Sequence, residues 1–351
     1  MGSDPDHTDN HAANPSGNKF HRSQAQAQGQ ALLGGNMPKY DVFGIGTALV
    51  DYFCRTTDSF LKKNGLIKGA SNFVSREKLD EIHSRLSDSI FARHPGDNAR
   101  NTCEGVAYLG GKAAYAGRVA GDEDGKFFED SLHRQKIASF LERGPGRTGK
   151  IIALITRDGQ RTFAVDLGNG KDYCGLPATG IKSSTFLYLT SITLFSEGSV
   201  ARSARDAMDI AAASGVRLSI SLESPPLVAQ NRERIWKILT RTQVLFANEE
   251  ELKALTGSSD EKTARALASE VDIFCLKKGD RGSSIFSKGE EFSIPAYPAK
   301  VVDTTGAGDF YAAGVLFGLS RGKSLDESGH LGAMLAGKIV EKFGATLHDI
   351  L

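Results

Sequence analysis

The chain has 351 residues, 40% of them hydrophobic and 24% charged, which suffices for one large α/β domain or two ordinary ones with a sizeable core. Forty-three basic against forty-two acidic residues leave a formal charge of +1; that balance excludes a net electrostatic footprint for nucleic acid or an anionic membrane and points to a small neutral or anionic ligand. No apolar run reaches the ~18 to 20 residues that span a bilayer, no basic segment followed by an apolar core opens the chain, and Cys54, Cys103, Cys174 and Cys275 show neither a close pair nor zinc-ligand spacing, so a cytoplasmic protein with reduced thiols is expected.

Residues 1–36 are rich in Asn, His, Gln, Gly and Ser and offer little to bury, which predicts a disordered leader or tag. Its His7, His11 and His21 lack a metal-ligand spacing. From Tyr40 the pattern alternates between strand and helix. Strands are predicted at Asp41 to Gly46, Ala113 to Val119, Ile151 to Thr156, Arg161 to Val165, Thr185 to Leu189, Arg217 to Leu222, Val244 to Ala247 and Ile273 to Leu276. Helices are predicted at Arg76 to Leu86, Asn101 to Leu109, Val200 to Ser214 and Arg232 to Thr240, and Ser283 to Phe286 with Glu291 to Ile294 forms a short hairpin. Such alternation argues for a mostly parallel sheet with helices on both faces.

The most telling stretch is Val301-Val302-Asp303-Thr304-Thr305-Gly306-Ala307-Gly308-Asp309-Phe310. Phe310, Ala313, Val315, Leu316 and Leu319 follow at helical spacing, with Arg321-Gly322 as a stop. Gly306, Ala307 and Gly308 thus present three backbone N–H groups at a helix N-terminus, where the dipole favours phosphate oxygens. Asp309 stands where a carboxylate takes the proton of an attacking alcohol. Other phosphate loops fail: Gly144 to Lys150 has Walker A spacing, but Ile151 replaces the metal-binding hydroxyl and a strand follows, which leaves a turn at a lid edge. Gly318 to Ser324 is one residue short, and Gly44-Ile45-Gly46 has Leu49 at the third glycine position of a dinucleotide fingerprint. Asn248-Glu249-Glu250-Glu251 follows a strand and opens a helix, the layout of an N-cap or of a ligand site at a strand end.

These segments, in this order from about Tyr40 to Leu351, resemble the ribokinase-like, or PfkB, sugar and nucleoside kinases, and Phe43 to Asp51 with Val301 to Gly318 is most similar to the bacterial adenosine kinase-like branch. The resemblance implies a Rossmann-like three-layer α/β/α sandwich with a mostly parallel central sheet and a small β-strand lid. The kinase domain would span 37–351, with lid strands from about 47–75, 90–97 and 150–168. It implies ATP and Mg2+ as cofactors, with Asp309 as base beside the Gly306–Gly308 hole. It assigns Asn248 and Glu251 to magnesium and phosphate, the latter through water, and Lys278, Gly279, Gly282 and Thr304 to the nucleotide. Asp51 would bind substrate hydroxyls, and Thr47 stands where relatives often carry Asn. Gly96-Asp97-Asn98-Ala99-Arg100-Asn101 occupies the slot of the family's Gly-Gly-Ser-x-x-Asn, so Gly96 and Asn101 match, while Asp97 and Asn98 depart and suggest an unusual ligand, with Arg100 the nearest cation to Asp97. Arg161 matches a lid arginine that clamps phosphate, and Asp303 with Thr305 matches a monovalent-cation site that potassium would fill. The expected function is transfer of the ATP γ-phosphoryl group to a primary hydroxyl of an adenosine-like ribonucleoside. The alternatives are a sugar kinase with the same machinery and a non-catalytic nucleotide-binding regulator. A homodimer through the lid is expected from the same resemblance.

Overall fold

A computed structural model describes residues 38–347; the leader expected over 1–36 lies outside the described residues. Numbered along the chain, the central sheet contains β1 (Tyr40–Ile45), β5 (Ala113–Val119), β6 (Ala138–Arg143), β9 (Ser184–Thr190), β10 (Arg217–Ser221), β11 (Val244–Asn248), β12 (Ile273–Lys277), β13 (Ser283–Ser287) and β14 (Glu290–Ile294). Their order is β14-β13-β12-β11-β10-β9-β1-β5-β6. From β6 to β12 all neighbours are parallel, and the β12–β13 and β13–β14 pairs are antiparallel. Every residue of β1 is buried, as expected of a parallel strand covered on both faces. Lys288 (φ 52°) and Gly289 (φ 83°) make the two-residue hairpin turn.

Two apolar clusters flank this sheet. One joins it to the helices Val200–Ala213, Arg232–Leu239, Glu249–Thr256 and Glu261–Ala268; the other joins it to Asn98–Tyr108, Glu123–Arg134, Ala307–Ser320 and Leu325–Val340. The fold is therefore the expected α/β/α sandwich. The helix Ala307–Ser320 is buried on nearly all sides, and Gly314 lets the next helix approach: a Cβ there would lie 2.5 Å from the Gly332 nitrogen. That contact fixes the helix whose first turn carries Asp309.

A second sheet is built from β2 (Leu49–Arg55), β3 (Ser71–Phe73), β4 (Ile90–Gly96), β7 (Gly149–Ile155) and β8 (Arg161–Asp166), in the order β3-β8-β7-β2-β4. It has its own small core of Cys54, Leu61, Leu79, Ile82, Ile152 and Leu154. This is the lid. The loop from β6 to β7 contains Gly144 to Thr148, a turn at the lid edge and no phosphate loop.

Some boundaries differ from the sequence reading. The helix expected at Asn101 begins at Asn98, because Asp97 accepts the Ala99 N–H and caps it. Strand β6 was not anticipated, since Ser139, Glu142 and Arg143 dilute its apolar pattern at a half-buried sheet edge. Neither was Leu325–Val340, whose Gly329, Gly332 and Gly337 read as helix-weakening until the close packing they permit is seen. No helix among the described residues is long and apolar enough to cross a membrane.

Candidate active site

The parallel strands end on one edge of the sheet, where open α/β folds bind ligands. Thr47 follows β1, Ile192 follows β9, Glu223 follows β10, Asn248 ends β11 and Lys277 ends β12. These residues and the lid enclose a cleft of about 500 Å³ whose lid walls include Leu49, Phe53, Phe73, Ile151 and Phe163, with Asp51, Asp97, Asn101 and Asp309 as polar groups. A second cleft, about 580 Å³, lies under Tyr297, Pro298, Val301, Ala333, Ala336 and Val340 and includes Gly279, Gly282, Thr304 and Ala307. Lys277 and Gly308 line both clefts. The two clefts therefore meet at these residues.

Gly306 caps the helix with φ 79°, a left-handed conformation open to glycine at no steric cost, and a Cβ on it would lie 2.7 Å from Ala345 Cβ. Of the three N–H groups expected to form the hole, Ala307 donates to the Thr304 carbonyl at 3.2 Å. Gly306 and Gly308 are the remaining donors. The Lys277 ammonium lies over Gly308, 3.0 Å from where a Cβ would be, and adds a cation to the helix dipole.

Asp309 is in the first helical turn and 7% exposed. Its Oδ2 accepts a hydrogen bond from Asn101 Nδ2 at 2.9 Å, and Thr102 Oγ1 donates to its carbonyl at 3.1 Å. Burial pushes its pKa up to about 7, against the lowering effect of Asn101 and Lys277. A carboxylate with that pKa is half ionised near neutral pH and so suited to accept a proton there. The Asn101 amide is oriented by Arg100, whose Nη1 donates to Asn101 Oδ1 at 3.3 Å.

The remaining expected residues divide. Asp51 and Thr47 line the lid-covered cleft, and burial raises the Asp51 carboxyl to about 7. Gly96 stands behind it: a Cβ there would lie 2.8 Å from Asp51 Oδ2, so its bareness makes room for that carboxylate. Asp97 also faces the cleft, with φ 103°, a left-handed conformation that favours glycine. Its partner is the Tyr115 hydroxyl, which donates to Oδ2. Arg100, the nearest cation to Asp97 in sequence, is bound instead to Glu104 Oε2 at 2.5 Å and to Gln135 Oε1 at 2.7 Å. Asn248 and Glu251 line the cleft and also form a capping box, each backbone N–H donating to the other's side chain at 2.8 Å.

Three expectations are corrected. Lys278 does not face the nucleotide cleft; its ammonium donates to Ser284 Oγ at 2.6 Å, and Lys277 occupies the site instead. Arg161 clamps no open phosphate position, since it is bound to Asp303 and Thr305. The same pair of contacts places a guanidinium where a potassium ion was expected. Glu223 was not anticipated at all: it is 7% exposed, lines the cleft, and neither carboxylate oxygen has a hydrogen-bond partner. A lone glutamate two residues past a strand carries no motif, so only the strand order reveals it.

Comparison with known proteins bears on the fold and the family. The sequence pattern of the "pfkB family carbohydrate kinase" matches residues 79–350. An "uncharacterized sugar kinase" of Archaeoglobus fulgidus is 30% identical over 252 residues, 69% of this chain and 96% of that protein. The crystal structure of an adenosine kinase from Sinorhizobium meliloti is 32% identical, with a TM-score of 0.80 over 88% of this chain and 96% of that one. A probable sugar kinase from Rhizobium etli is 29% identical, with a TM-score of 0.81 over the same shares. With the glycine-capped hole, the buried carboxylate beside it and two clefts meeting at one point, the chain belongs to the pfkB family, kinases that phosphorylate hydroxyl groups of sugars or nucleosides.

Proposed function

We propose that this kinase transfers the γ-phosphoryl group of ATP to the primary 5′-hydroxyl of an adenosine-like ribonucleoside. The observation that carries the reading is the character of the lid-covered cleft. Its walls are Phe53, Phe73, Phe163, Leu49 and Ile151, flat and apolar enough to hold a purine ring, while Asp51, Thr47 and Asn101 offer acceptors and donors for ribose hydroxyls. A bare sugar would leave that aromatic surface unused. The likeness to the Sinorhizobium meliloti adenosine kinase supports the same choice.

In this reading ATP lies in the second cleft with its adenine under Tyr297, and its γ-phosphate reaches Gly306, Gly308 and Lys277. Asp309 accepts the proton of the attacking hydroxyl, held in place by Asn101. Exclusion of water by the lid strengthens every charge interaction in the site. Glu251, Asn248 and Glu223 fit a magnesium ion: Glu223 has two buried oxygens without partners, and magnesium needs only one or two carboxylates because it keeps several waters. Among the described residues no three His, Cys, Asp or Glu converge into a ready-made metal cage. A magnesium ion held in the cleft would supply positive charge to offset that of the phosphates.

The sugar-kinase reading is favoured by the Archaeoglobus fulgidus and Rhizobium etli relatives. A panel of nucleosides and sugars, scored by ADP release, separates the two. The proposal expects adenosine-like nucleosides to lead in kcat/KM by about ten-fold or more, the scale of one well-filled pocket. A free hexose or pentose at the head of the ranking would contradict it.

A further inference from the structure

Asp303 lies just ahead of the hole, and donors from the protein itself fill its carboxylate. Oδ1 accepts the Thr305 N–H at 2.8 Å and the Thr305 hydroxyl at 2.7 Å, and Arg161 Nη1 lies 2.6 Å from it. Oδ2 accepts the Gly344 N–H at 2.8 Å. The Thr305 hydroxyl, having given its proton to Asp303, accepts from Arg161. The guanidinium also lies over the Phe343 ring, 5.1 Å from its centre. The Asp303 side chain is 1% exposed and that of Arg161 19%, so this ion pair is largely withdrawn from water.

Such a site does not fit a potassium ion. An alkali cation needs oxygen lone pairs turned toward it, whereas both oxygens of Asp303 meet N–H or O–H donors. A second positive charge beside the guanidinium would be repelled. The arginine also comes from elsewhere: it opens β8, a lid strand, while Asp303 and Thr305 precede the helix of the hole.

We infer that Arg161 is a tethered cation that takes the place of a diffusible potassium ion beside the hole and, being carried on the lid, links lid closure to the alignment of Gly306 and Gly308. When the lid lifts, Asp303 is left buried without its counter-charge, a state costly enough to oppose opening. When the lid returns, Arg161 Nη1 restores its contacts to both Asp303 Oδ1 and the Thr305 hydroxyl. Arg161 is thus a positioning residue.

The inference rests on the reading of Gly306–Gly308 as a phosphate hole, and its test therefore measures ion and nucleotide binding without turnover. The full chain, in choline buffer, is titrated calorimetrically with potassium chloride, and the Kd of ATP is then measured in choline and in potassium. The wild type is expected to show no saturable potassium site and an ATP Kd equal in both salts to within about two-fold. Arg161→Gln is expected to gain a potassium response, with ATP binding about ten-fold tighter in potassium than in choline. Saturable potassium binding by the wild type, with matching tightening of ATP, overturns the inference, and that titration requires no variant to fold. Arg161→Gln binding ATP like the wild type in both salts also overturns it. Absence of ATP binding by the wild type in either salt would instead strike the phosphate-hole reading.

Discussion

In the proposed mechanism burial makes a base of Asp309, an otherwise ordinary carboxylate. Desolvation raises its pKa to about 7, and the Asn101 amide and the Lys277 ammonium oppose that rise. A base acts when deprotonated, so kcat/KM of the free enzyme should climb with pH along a limb centred near 7. Removing Lys277 removes a lowering influence. In Lys277→Met that limb should move to higher pH and ATP should bind more weakly, and a pH–rate profile with ATP titrations checks both. An unchanged limb would separate Lys277 from the base. The sequence presents Lys277 and Lys278 as equals; the pleat of β12 decides between them. Cys275 and Lys277 share the strand face that packs toward Phe310 and Tyr311, while Phe274, Leu276 and Lys278 alternate to the other side. Nothing in the local sequence states which face meets the hole.

At the scale of elements, the mouth of the helix Ala307–Ser320 was legible because its signal is local: glycines, a carboxylate and an apolar run in one segment. The start of Asn98–Tyr108 was not. Asp97 holds φ 103°, a costly conformation for a non-glycine residue, and is kept there by the cap to Ala99 and the Tyr115 hydroxyl, which comes from β5. Burial lifts the Asp97 carboxyl to about 6, against about 3.9 in an unfolded chain. The stability due to its protonated form is therefore complete below about pH 4 and lost as pH rises through about 6. Asp97→Asn keeps the cap acceptor without the titration. Its Tm should gain on the wild type by roughly a few degrees between pH 4 and pH 7, and thermal melts across that range check the sign. A pH-independent difference would mean that Asp97 is not the buried acid described above. Glu223 belongs to the same lesson, because its place in the cleft follows from strand order and from no motif.

At the scale of the whole molecule, the alternation of strands and helices made the sandwich readable, whereas the lid order β3-β8-β7-β2-β4 joins segments far apart in sequence and was readable only as approximate ranges. The lid has a separate apolar core and meets the site through Arg161 on Asp303, so it should open as a unit of lower stability than the central sheet. Hydrogen exchange should therefore slow in β2, β7 and β8 when nucleoside and a non-hydrolysable ATP analogue bind, with β1, β9 and β10 unaffected; uniform slowing would contradict a separate lid. The central claim is that phosphoryl passes at Gly308 to a hydroxyl deprotonated by Asp309. Single-turnover transfer from ATP to adenosine, compared between wild type and Asp309→Asn, tests it directly. The account predicts a rate lower by ~10² or more in the variant, with both ligand affinities within about three-fold of wild type. Transfer at the wild-type rate by the variant would contradict it.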